Sequence, residues 1–77
     1  MTPTDRFFEA YDALKASGRT HARKFCADLQ IDRRNLGKQA ADHSRRILKV
    51  EHLGALVQLY GVSADWLLTG RGSMFGE

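Results

Sequence analysis

Apolar residues recur along this chain at helical spacing, and no stretch alternates apolar and polar positions as a strand would. Phe7, Tyr11 and Leu14 fall at i, i+4 and i+7, with Phe8 and Ala10 widening the stripe. This predicts a first helix opening at Thr2 or Thr4, with Pro3 or Asp5 in its first turn and Gly18 as its stop. Thr20 is placed to cap a short second helix carrying Ala22, Phe25, Cys26 and Leu29. Leu29, Gln30 and Ile31 make a turn, and Asp32 is placed to cap a third helix running to about Ala41. In that helix Leu36 is the one strongly apolar residue, with Ala40 as a small companion, and Arg33, Arg34, Asn35, Lys38 and Gln39 occupy the other faces. Asp42 to Lys49 shows no period and reads as a loop with Ile47 and Leu48 turned inward. Val50, Leu53, Leu56, Val57 and Tyr60 predict a fourth helix stopped by Gly61. Ser63 opens a fifth, Ala64 to Thr69, with Trp66, Leu67 and Leu68 as core and Gly70 as its end. Gly54 inside the fourth helix implies close packing against a neighbour, and the segment after Gly70 reads as a flexible tail. The fold class is all-α: five short helices in a single domain, 1–77.

Composition narrows this little. An apolar fraction of 43% and a charged fraction of 27% are ordinary for a globular domain, and 77 residues suffice for one small core. The absence of a long apolar run and of a leader-like N-terminus predicts a cytoplasmic protein with no membrane partner. A single cysteine, Cys26, fits a reducing compartment and reads as a core residue.

Charge changes the picture. Residues 19–49 carry nine basic side chains against three acidic ones, while the segments on either side are net negative. A positive centre of this kind suits a polyanion, although by itself it is equally a solvated face. Chemistry of other kinds is missing: no paired carboxylates, no nucleophile with a base, and His21, His43 and His52 at no zinc-ligand spacing. Gly70, Gly72 and Gly76 do not form a nucleotide loop. The expectation is a non-enzymatic protein with no cofactor, no metal and no small-molecule ligand.

Two segments, FCADLQIDRRNLGK and YGVSADWLLTGRGSMF, resemble the Cro-type and lambda-repressor-like helix-turn-helix family, and the likeness runs from about Arg6 to Phe75. The resemblance implies a five-helix DNA-binding domain with its helix-turn-helix at about 20–41, acting as a phage or bacterial transcription regulator, a repressor bound as a homodimer to palindromic double-stranded DNA. It assigns base reading to Arg33, Arg34 and Lys38, at the start of the recognition helix. Phosphate contacts fall to Thr20, His21 and Asn35, with Arg45, Arg46 and Lys49 holding the flanking backbone. The dimer interface is expected in the Trp66 to Phe75 region. Gln30 departs from the family's turn glycine. Gln39 replaces an apolar residue and Gly37 lowers helix propensity, which together predict a recognition helix steadied partly by DNA. The competing expectation is a protein-interaction module, suggested by the thin apolar edge of the third helix and by Met74 and Phe75 in the tail.

Overall fold

The computed structural model describes residues 1–76; Glu77, part of the acidic C-terminal balance, lies outside them. Among the described residues the chain forms five helices and no strand: α1 (Pro3–Ala16), α2 (Ala22–Leu29), α3 (Arg33–Ala41), α4 (Val50–Tyr60) and α5 (Ala64–Thr69). None is long and apolar enough to cross a membrane.

Local chemistry sets most of the boundaries. Thr2 and Asp5 close a reciprocal cap at the start of α1, each side-chain oxygen accepting the other's backbone N–H at 3.1 and 2.9 Å. At the far end Gly18 sits at φ +77°, and the N–H of Arg19 returns to the carbonyl of Leu14. The cap of α2 differs from expectation. His21, not Thr20, caps it, with Nδ1 accepting the Lys24 N–H at 3.4 Å, while Thr20 is buried and its hydroxyl meets the Tyr60 hydroxyl at 2.9 Å. Gln30 takes the left-handed turn conformation, φ 56°, that a glycine would adopt without strain.

The core gathers Phe7, Leu14, Phe25, Leu56, Val62 and Leu67, with Tyr11 stacked on Phe25 at 4.2 Å. Cys26 is buried among them. Two polar ties lock the helices across this core. Arg6 is buried and donates from Nε to the Leu67 carbonyl at 2.8 Å and from Nη2 to that of Leu68 at 3.0 Å, joining α1 to the end of α5. Tyr60 donates to Asp28 at 2.6 Å, leaving its oxygen to accept from Thr20, and so joins α4 to α2.

Further expectations need correction, among them Leu68, expected in the core with Trp66 and Leu67 but 54% exposed at the end of α5. The segment after α5 does not hang free: the Met74 carbonyl accepts the Ser63 N–H at 2.8 Å, Met74 and Phe75 pack on the core, and the Arg19 guanidinium lies 5.4 Å from the Phe75 ring. Gly54 is not in close packing, since a methyl group there would meet nothing within 4 Å. Gln39 is fully buried rather than outward.

Candidate nucleic-acid interface

The helix α3 starts at Asp32, whose carboxylate accepts the Arg34 N–H at 2.7 Å. Capping occupies this carboxylate locally and leaves the cations beyond it unpaired. Leu36 and Gln39 are the buried residues of α3 and define its inward direction. At about 100° per residue, Arg34 and Lys38 then lie roughly 170° and 130° from that direction, Arg33 about 90° and Asn35 about 70°. All four are exposed. Arg34 and Lys38 therefore project straight out as a pair one turn apart. Arg33 stands at the border with α1 and α2, beside a hollow lined by Tyr11, Ala22 and Cys26.

The loop 42–49 follows directly. Asp42 folds its first residues, its carboxylate accepting from the Ser44 N–H at 3.1 Å and the Ser44 hydroxyl at 2.6 Å. These bonds hold the Asp42 carboxyl below its usual range, those to Ser44's side chain and backbone first. His43 stacks on Phe8 with ring centroids 5.0 Å apart, and its Nδ1 pairs with Asp5 of α1. Arg45, Arg46 and Lys49 are exposed on this loop.

The loop is also gripped from within. The two hydrogens of Gln39 Nε2 go to the carbonyls of His43 and Arg45 at 3.0 and 2.7 Å, with the Asp42 carbonyl at 3.3 Å sharing one of them, and its Oε1 accepts the N–H groups of Ile47 and Leu48 at 2.9 and 3.0 Å. Sequence reasoning gave this residue to the surface. The signal that could have found it is a polar residue three positions after the helix anchor Leu36, followed by a loop with no apolar period: a buried amide needs backbone partners, and an irregular segment has them free.

No protein-family model, curated protein or solved structure matches the chain.

The remaining phosphate candidates divide. His21 is exposed at the start of α2, where the first-turn N–H groups lack intrahelical acceptors. The Thr20 hydroxyl is committed to Tyr60, so its side chain serves the α2–α4 contact. Lys24, on α2, is paired with Asp28 at 2.7 Å, which lowers the Asp28 pKa and raises that of Lys24. Among the described residues no carboxylate pairs with Arg33, Arg34, Lys38, Arg45, Arg46 or Lys49. The arrangement thus offers six cations on one helix and the loop that leaves it, none in a direct ion pair among the described residues.

Proposed function

We propose that this chain is a sequence-specific double-stranded DNA-binding regulator of the lambda-repressor-like helix-turn-helix class, acting on its site as a homodimeric repressor. The observation that carries the reading is the set of six exposed, unpaired cations on α3 and the loop 42–49. Supporting it, α2 and α3 are joined by a turn with Gln30 in a left-handed conformation, and α3 directs Arg34 and Lys38 away from the core. In this reading α3 enters the major groove, where the fork of Arg34 meets guanine O6 and N7 and Lys38 follows one turn later. Arg33 reads at the edge, and Asn35, His21 and the loop cations meet phosphates.

The test is duplex selection from a random pool, followed by anisotropy titrations over a range of salt. The expected result is a steep fall of affinity with salt, because each phosphate contact releases counter-ions. Arg34→Ala relaxes the base preference at one position, worth roughly 1–3 kcal/mol, while Arg46→Ala weakens all sequences alike and lowers the salt slope by about 1. Loss of affinity in both variants with unchanged preference would refute these roles.

A second reading, a protein-interaction module, draws on a different feature from those the sequence suggested. Val50, Leu53, Gly54, Val57, Leu67 and Leu68 line an apolar hollow of about 250 Å³ between α4 and α5, with Val50 79% and Leu68 54% exposed. A chain that bound no duplex at low salt, yet bound a protein through this hollow, would favour it.

A further inference from the structure

Gln39 is the most heavily engaged side chain in the molecule that the DNA reading leaves without a role. It is 0% exposed, and both ends of its amide are used on one eight-residue segment. An apolar side chain there would leave the carbonyls of His43 and Arg45 and the N–H groups of Ile47 and Leu48 to find partners elsewhere, the Asp42 carbonyl keeping the Arg45 N–H. A fully satisfied buried amide is costly to place and gains its value from fixing one geometry.

What it fixes lies on both sides of the basic face. Gln39 belongs to α3, rigidly linked to Arg34 five residues before it and to Lys38 beside it. Its partners run from Asp42 to Leu48 and bracket Arg45 and Arg46, while Lys49 follows the last of them. The Arg45 carbonyl takes the shortest of the five bonds, at 2.7 Å, so the backbone that carries this cation is held directly against the helix. The opposite side of the loop is held by His43 on Phe8 and Asp5, which ties it to α1 but sets nothing beyond residue 43.

We propose that Gln39 is the positioning residue of the DNA-binding face: it sets the distance between the reading side chains of α3 and the phosphate-binding cations of the loop, so that one duplex engages both at once. The proposal rests on the DNA reading above. It follows that the loop cations bind as a preorganised set, without the ordering cost that a free loop would bring to the complex.

The experiment compares the wild-type chain with Gln39→Leu and Gln39→Asn, the latter a shorter amide that keeps the polarity and loses the reach. On the selected duplex, both variants are expected to keep the base preference set by Arg34 and to bind at least tenfold more weakly. The slope of log affinity against log salt should be smaller by about 2–3, one increment for each loop cation released. Amide exchange without DNA gives an independent readout. The Ile47 and Leu48 N–H groups should be protected in the wild type and exchange at least tenfold faster in Gln39→Asn, while amides inside α1 and α4 stay protected. Should Gln39→Leu fail to fold, Gln39→Asn and the wild-type exchange pattern decide the matter. An unchanged salt slope in a folded variant, or unprotected Ile47 and Leu48 in the wild type, overturns the proposal and leaves the DNA reading standing. No duplex binding by the wild type removes both.

Discussion

Asp5 serves two partners with one carboxylate. It closes the α1 cap with Thr2 and pairs with His43 across to the loop. The hydrogen bond from His43, then that from the Thr2 backbone, pulls its pKa down to about 2, against 3.8 ordinarily. A carboxyl with a depressed folded-state pKa stabilises the fold above its unfolded value and loses that contribution as pH falls through the folded one. The window is therefore about pH 4 down to pH 2. Urea melts across it should show wild-type stability falling more steeply with acid than that of Asp5→Asn; parallel curves would mean that the pair adds nothing to the folded state. Being partly exposed, the contact acts chiefly on where the loop begins.

Among the elements, α3 has the least apolar surface and is the most informative. Its glycine, Gly37, is exposed on a regular helical turn, and a methyl group there would meet nothing within 4 Å. Gly37→Ala should then raise stability by about 1 kcal/mol through helix propensity, or roughly 4–8 °C in Tm for a domain of this size. A calorimetric Tm at or below wild type would show that the backbone here needs glycine. The five helices themselves were legible in the sequence, because Phe7, Tyr11, Leu14, Leu56 and Tyr60 repeat at the period of the helix and residues such as Asp32, Ser63 and Gly61 mark its ends. So was the outward display of Arg34 and Lys38, which follows from their spacing relative to Leu36. The roles of Gln39 and Thr20 were not. Each is a polar residue buried by partners, and the partners of Gln39 lie in a segment with no pattern to read, while that of Thr20, Tyr60, lies forty residues away. The same holds for the tail, whose return involves contacts distant in sequence: the Ser63 N–H on the Met74 carbonyl, the packing of Met74 and Phe75, and Arg19 beside the Phe75 ring.

At the scale of the molecule, the helices are tied by polar contacts placed at the rims of a small aromatic core. Arg6 is the most exacting of these, because its guanidinium satisfies the carbonyls of Leu67 and Leu68 at the end of α5, where a helix has no amide to offer. Arg6→Met preserves much of the apolar stem and removes the donors, so denaturant melts should show a loss of about 1–3 kcal/mol. The duplex-binding salt slope of the folded variant should not change, since α5 packs on α1 and α4 and carries none of the six cations. A changed slope would connect this rim to the basic face.

The placement of Trp66 bears on how such measurements can be made. It is the one tryptophan of the chain, nearly buried in α5. Excited selectively, its emission reports the closure of the core around α1, α4 and α5, while the cations of α3 and the loop lie on other elements. The protein thus carries a built-in optical probe of its folded state. If emission stays constant as a duplex is titrated, then any anisotropy change in the same cuvette records association alone, and a red shift would mean that the ligand is opening the fold.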